Sequence, residues 1–69
     1  MGILCIDNSE TIRKVVADCV LDLDYVFFEA ENGEQALHYL QSYSVDIAIL
    51  DIDMPKMSGL EVIRKIRQM

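Results

Sequence analysis

The sequence predicts an α/β domain in which three parallel strands alternate with three helices. Three short runs rich in apolar residues, at 3–6, 25–30 and 46–51, each lead into acidic or amide residues. Continuous apolar runs of this length are typical of strands covered on both faces of a parallel sheet. Each run is followed by apolar residues at steps of three and four, the spacing of a helix with one buried face. This alternation favours right-handed crossovers, with helices on both faces of the sheet.

The first strand is predicted at Ile3 to Ile6, and it runs into Asp7. Asn8 or Ser9 can cap the helix that follows, because their side-chain oxygens accept hydrogen bonds from first-turn amides. The stripe expected to face the sheet consists of Ile12, Val15, Val16, Cys19, Val20 and Leu23. Four charged residues lie off that stripe and are expected at the surface: Glu10, Arg13, Lys14 and Asp18.

The second strand is predicted at Tyr25 to Ala30, where aromatic and apolar residues dominate. Asn32 and Gln35 stand three residues apart, which is the spacing of a box that starts a helix. The second helix is therefore predicted over Gly33 to Ser42. Its expected buried stripe is Ala36, Leu37 and Leu40.

The third strand is predicted at Asp46 to Asp51 and the third helix at Gly59 to Gln68. Three basic residues fall late in this helix, where they suit the negative end of the helix dipole. The apolar side chains expected to face inward are Leu60, Ile63 and Ile66.

Composition limits the function classes. The 69 residues are expected to form one domain, and their net charge of −6, with six Lys and Arg spread along the chain, argues against direct contact with nucleic acid. No apolar stretch reaches the roughly 18 residues of a membrane span, and a cytoplasmic location is expected. Cys5 and Cys19 lie in apolar patterns and are predicted to be core residues in a reducing compartment. A hydrophobic content of 52% suggests burial of some surface against a partner.

Oxygen-bearing side chains follow two of the predicted strands. Asp7 and Asn8 end the first strand, and Asp51 with Asp53 ends the third. Because ligands bind beyond the carboxyl ends of parallel strands, these four side chains would converge if the two strands are neighbours. Oxygen donors with few cations nearby suit a hard cation such as Mg²⁺ rather than zinc.

Three stretches, "ILCIDN", "ENGEQAL" and "ILDIDMPKMSGLEVI", in this order and at these distances, resemble the first half of the receiver domain of response regulators, the phosphoacceptor module of bacterial two-component signalling. The resemblance covers nearly the whole chain. It implies a truncated flavodoxin-like fold, a (βα)3 half receiver whose three-stranded parallel sheet has the order 2-1-3.

The resemblance also implies the chemistry of the site. Asp51 would be the phosphoacceptor, attacking a phosphohistidine of a sensor histidine kinase or a small acyl phosphate. The partner would be that kinase or another receiver domain. Mg²⁺ would neutralise charge there, with Asp53 offering its backbone carbonyl and Asp7 holding a metal-bound water. Because such transfer is mainly positioning and electrostatics, the chain is expected to act as a phosphoacceptor and not as a true enzyme.

Two departures from the family pattern bear on this expectation. Asn8 stands where the family usually has the second residue of an acidic pair, so Mg²⁺ affinity should be lower. The chain also stops at Met69, before the family's second half with its switch hydroxyl and its lysine. Lys14, Lys56 and Lys65 do not match that lysine, so phosphorylation of Asp51 is expected to be impaired.

In that strand order, the third strand would form a bare edge that can pair with another chain. A homodimer through antiparallel pairing of two third strands is predicted, and a helix-mediated or swapped dimer is the competing arrangement. Three other interpretations stay open. The chain could be a docking module that is never phosphorylated, an excised piece of a longer regulator, or a phosphatase of the haloacid-dehalogenase type, which also uses Asp-x-Asp after a strand.

Overall fold

The computed structural model describes residues 1–51 and 58–68, and it confirms the predicted alternation. The elements are β1 (Gly2–Ile6), α1 (Glu10–Val20), β2 (Val26–Ala30), α2 (Gly33–Ser42), β3 (Ile47–Leu50) and α3 (Gly59–Arg67). The strands form a parallel sheet of order β2-β1-β3, as predicted. β1 begins one residue earlier than predicted, at Gly2, whereas β2 and β3 are one and two residues shorter than predicted and leave Tyr25, Asp46 and Asp51 as flanking residues.

The central strand β1 is buried along its whole length because both of its edges are paired. Ile3 lies beside Phe27 on one side and Ile47 on the other, and Ile6 lies beside Ala30 and Leu50. Alternate side chains of a strand point to opposite faces, so β1 supplies apolar contacts to both.

One face of the sheet carries the main core under α2 and α3. Leu4 and Ile6 of β1 pack there with Ala30, Ala36 of α2 and Val62 of α3, all at most 1% exposed. Phe28 and Tyr39 pack against this cluster, with ring centroids 5.3 Å apart. The opposite face, with Ile3 and Cys5, is covered by α1, which packs on β1.

Local sequence signals set the starts of the helices. Ser9 caps α1 and accepts a hydrogen bond from the Ile12 amide, so of the two predicted candidates Ser9, not Asn8, is the cap. Asn32 caps α2 and accepts from the Gln35 amide at 2.9 Å, as predicted. The Gln35 side chain accepts from the Glu31 amide, one residue before the cap.

Six predictions of burial are wrong, two on α3 and four on or just after α1. Leu60 and Ile63 of α3 are 60% and 39% exposed, because α3 turns Gly59 and Val62 toward the sheet instead. Ile66 packs against the core, as predicted. Gly59, Val62 and Ile66 are spaced by three and four and form the true inner stripe.

On α1, Cys19 is exposed, which corrects its assignment to the core, while Cys5 is buried as predicted. Ile12 and Val15 are also 46% and 54% exposed, and Leu23 lies beyond the end of α1 with 52% exposure. Among the described elements, α1 packs mainly on β1, so most of its predicted apolar stripe has no described element to pack on. Within residues 1–51 and 58–68, every helix is too short or too polar to cross a membrane.

Candidate functional site

Asp7 and Asp51 end neighbouring strands at the same edge of the sheet. The Asp51 amide donates to the Ile6 carbonyl at 2.9 Å, and the Asp7 amide donates to the Ala30 carbonyl at 3.0 Å. Ile6 and Leu50 are paired, so the two aspartates directly follow a matched pair of residues. Both are half-buried. The structure therefore brings together two of the residues that the sequence analysis selected.

The loop between β1 and α1 holds Asp7 by its side chain as well as its backbone. Asp7 Oδ1 accepts a hydrogen bond from the Ser9 amide at 2.9 Å. Ser9 in turn caps α1, so the start of the helix and the Asp7 carboxylate are joined through one residue. Asn8 lies between them and is exposed. Its amide side chain is accessible to an ion that approaches this edge.

Arg13, on the first turns of α1, is a functional candidate that sequence reasoning missed. Its Nη1 donates to the Asp7 carbonyl at 2.6 Å and its Nε donates to Glu29 Oε1 at 3.1 Å. The Arg13 side chain is 13% exposed and that of Glu29 47%. Its position off the apolar stripe suggested a surface residue, and only the three-dimensional arrangement shows that it reaches back across the loop.

The oxygen donors present suit a hard cation, although they supply only part of a site. Among residues 1–51 and 58–68, no group of three or more His, Cys, Asp or Glu side chains could hold a metal ion. Asp53, to which the sequence analysis gave a ligand role, lies outside the described residues, as does Lys56. The described residues thus offer two carboxylates, Asp7 and Asp51, and the amide of Asn8 at this edge of the sheet, which by themselves form no metal site. Carboxylate and amide oxygens are ligands that Mg²⁺ accepts.

A cleft of about 350 Å³ lies next to this edge, but Asp7 and Asp51 do not line it. Its acidic and basic side chains largely compensate one another, and Arg13 and Glu29 are already paired. The cleft is therefore distinct from the crevice of the two aspartates. Its lining consists of Glu10, Arg13, Lys14, Glu29, Glu31 and Gln35.

Behind the site, the thiol of Cys5 is buried in β1 two residues before Asp7. Burial raises the pKa of this thiol above its ordinary value, and the negative charge of Asp7 raises it further. Arg13 acts in the opposite direction. Cys5 is thus kept as a neutral core side chain beneath the acidic edge and is a poor nucleophile.

This arrangement of a parallel sheet with order 2-1-3 and aspartates at its carboxyl edge defines the class of protein. The sequence profile of the response regulator receiver domain matches residues 3–69. The chain therefore belongs to the response-regulator receiver family, and the predicted flavodoxin-like half-receiver fold is confirmed.

Individual relatives agree with this assignment. A probable transcriptional regulator, ycf27 of Cyanidium caldarium, is 38% identical over 66 residues, which are 96% of this chain and 26% of that protein. The chemotaxis protein CheY of Bacillus subtilis is 34% identical over 67 residues, which cover 96% of this chain and 56% of CheY. The chain thus spans about a quarter to just over half the length of these relatives.

The fold is similar to that of the response regulator protein TrrA from Thermotoga maritima, solved in complex with Mg(2+)-BeF. The two share a TM-score of 0.89 and 42% identity, over 97% of this chain and 58% of TrrA. TrrA has also been solved in complex with the histidine kinase ThkA; that structure gives a TM-score of 0.88 over the same shares of the chains.

Proposed function

We propose that this chain is a phosphoacceptor module of two-component signalling in the cytoplasm, with Asp51 as the residue that receives the phosphoryl group. The observation that carries the proposal is the position of Asp51, bonded through its amide to Ile6 and placed at the sheet edge beside Asp7. The partner would be a sensor histidine kinase or another receiver domain. The complex of TrrA with ThkA supports a kinase partner for this family.

The transfer itself requires little covalent chemistry from the protein. One carboxylate oxygen of Asp51 forms a bond to phosphorus while the bond from phosphorus to the donor's imidazole nitrogen, or to the oxygen of an acyl phosphate, breaks. Asp7, Asn8, Asp51 and the backbone of Asp53 would hold Mg²⁺, which neutralises charge on the transferred group.

The test is native mass spectrometry of the chain with Mg²⁺ and acetyl phosphate. The expected result is the gain of one phosphoryl group per chain, absent in Asp51→Asn. Asp24→Asn is the matched control, because Asp24 is an exposed aspartate between α1 and β2 and its loss should leave the gain unchanged. A chain that never gains the group, with acetyl phosphate or with a phosphorylated kinase, would contradict the proposal and favour a docking role without phosphorylation.

A second proposal concerns self-association through the edge of β3. Of the described strands, β3 pairs with β1 only, so its other edge has no strand beside it within residues 1–51 and 58–68. Ile47 and Ile49 of this strand are 46% and 40% exposed. An apolar edge strand is a template for pairing. We propose a homodimer in which two β3 strands pair antiparallel about a two-fold axis, giving a continuous six-stranded sheet.

Charge placed near that axis tests the dimer. In Ile49→Lys, the two copies would bring like charges close together, so the dimer should dissociate at concentrations where the wild type is paired. Val15→Lys is the control, because Val15 is exposed to a similar degree on α1, away from β3. Sedimentation velocity over a concentration series measures the effect. A monomer at all concentrations, or crosslinks confined to α3, would contradict pairing through β3.

A further inference from the structure

Arg13 connects three parts of the chain at the acidic edge of the sheet. It belongs to α1, its Nη1 donates to the Asp7 carbonyl at 2.6 Å, and its Nε donates to Glu29 of β2 at 3.1 Å. Two different nitrogens are used, so both contacts depend on the planar fork of a guanidinium. The side chain is 13% exposed, which sets it apart from the solvated surface residues of α1.

Asp7, whose carbonyl Arg13 contacts, is held by hydrogen bonds of its backbone and of its side chain. The Asp7 amide is bonded to the Ala30 carbonyl, and Asp7 Oδ1 is bonded to the Ser9 amide. Arg13 completes this set by bonding the Asp7 carbonyl, which belongs to the peptide group between Asp7 and Asn8. The orientation of that peptide plane determines where the backbone of Asn8 leads and hence where its side chain can reach.

We infer that Arg13 is a positioning residue that fixes the Asp7–Asn8 peptide so that both side chains are held ready for a divalent cation. This inference rests on the proposed function, because it takes Asp7 and Asn8 as ligands of Mg²⁺. Glu29 holds the guanidinium in place and offsets its charge. Partners that orient metal ligands in this way typically change metal affinity ten-fold or more when they are removed.

The electrostatic effect of losing the Arg13 charge alone would change Mg²⁺ affinity in the opposite direction. The direction of the measured change in affinity therefore tests the inference. Removing a positive charge near a cation site should strengthen cation binding. Removing an anchor should weaken it. Lys14 provides the matched control, since it is the next residue of α1, carries the same charge and is 73% exposed in a pair with Glu10. Lys14→Gln removes the charge without touching the loop.

The experiment titrates Mg²⁺ into the full chain and into Arg13→Gln, Arg13→Lys and Lys14→Gln. Calorimetry gives the dissociation constant, and amide hydrogen exchange of Ser9 reports the order of the loop. We expect Arg13→Gln to raise the dissociation constant about ten-fold and to accelerate exchange at Ser9 relative to the sheet amide of Asp51. Arg13→Lys should recover part of both effects and also covers the case in which Arg13→Gln fails to fold. Lys14→Gln should bind Mg²⁺ as well as the wild type or better.

The outcomes separate the inference from the proposed function. If Arg13→Gln binds Mg²⁺ as tightly as Lys14→Gln and its Ser9 amide exchanges as in the wild type, Arg13 is not a positioning residue. If the wild type binds no Mg²⁺, the metal part of the proposed function fails, and Ser9 exchange decides the anchor alone. Faster exchange in Arg13→Gln but not in Lys14→Gln then supports the anchor, and equal exchange overturns it.

Discussion

Replacing Asn8 by aspartate should strengthen Mg²⁺ binding, because it restores the acidic pair that the family usually has at this position. Asn8 is exposed and directly follows Asp7, whose carboxylate is held by the Ser9 amide. The substitution therefore adds a charge where the loop is already ordered. It changes neither the length of the side chain nor a described hydrogen bond.

The size of the effect follows from the exposure of this position. Two unit charges 4 Å apart attract by about 1 kcal/mol in bulk water, so a divalent ion gains about 2 kcal/mol from one new carboxylate. Salt screens part of this gain. At about 1.4 kcal/mol for each factor of ten, we expect the dissociation constant for Mg²⁺ to fall about ten- to thirty-fold in Asn8→Asp.

Isothermal titration calorimetry at neutral pH and low salt measures this change. Gln41→Glu is the matched control, because it adds the same charge on an exposed residue in the last turn of α2. That position lies at the other end of the helix from its Asn32 cap. An unchanged dissociation constant in Asn8→Asp, or an equal gain in Gln41→Glu, would refute the assignment of residue 8 to the metal site.

Three further predictions concern the scaffold. Val62→Ala should lower the free energy of unfolding by about 2 kcal/mol, whereas Leu60→Ala should cost less than about 1 kcal/mol, because Val62 is fully buried and Leu60 is 60% exposed; urea unfolding would contradict the structure if the order were reversed. Gly2→Ala should cost about 1–3 kcal/mol and lower the thermal midpoint, since an added Cβ would overlap a backbone carbonyl oxygen of the loop before β3; an unchanged midpoint would refute this packing. Cys5 should react with a maleimide far more slowly than Cys19, because burial raises the pKa of its thiol and covers it. Equal labelling of both thiols would contradict this difference in reactivity. Since the folded state favours the neutral thiol of Cys5, the free energy of unfolding should be retained below the ordinary thiol pKa of 9.0 and should fall as pH rises above it.

Features encoded in short stretches could be predicted from the sequence, and those that depend on distant contacts could not. The bounds of α2 were predicted to the residue, because Asn32 and Gln35 specify its start locally. The inner face of α3 was not, because periodicity alone does not distinguish the stripe through Val62 from the stripe through Leu60. Packing of α3 against the sheet buries the stripe through Val62 and leaves the stripe through Leu60 exposed.

Some residues of the candidate site could likewise be predicted from the sequence, and others could not. Asp7 and Asp51 could be predicted, because strand ends with carboxylates are visible in the sequence and the order of the sheet makes them neighbours. Arg13 could not, since its partners lie six residues back and sixteen residues ahead in the chain. Asp53 stays a prediction, because it lies outside the described residues.

The central place of β1 also has a consequence for how the chain folds. β1 precedes both of its partner strands in the chain: Gly2 pairs with Val26, and Ile3 with Ile47. None of the three described strands is joined to its neighbour by a hairpin, so each pairing must close a long loop before it gains stability. The most buried of the three strands therefore stays unpaired until segments later in the chain are available. We expect folding that is slow for so small a chain, with the sheet appearing in one cooperative step after β3 is available.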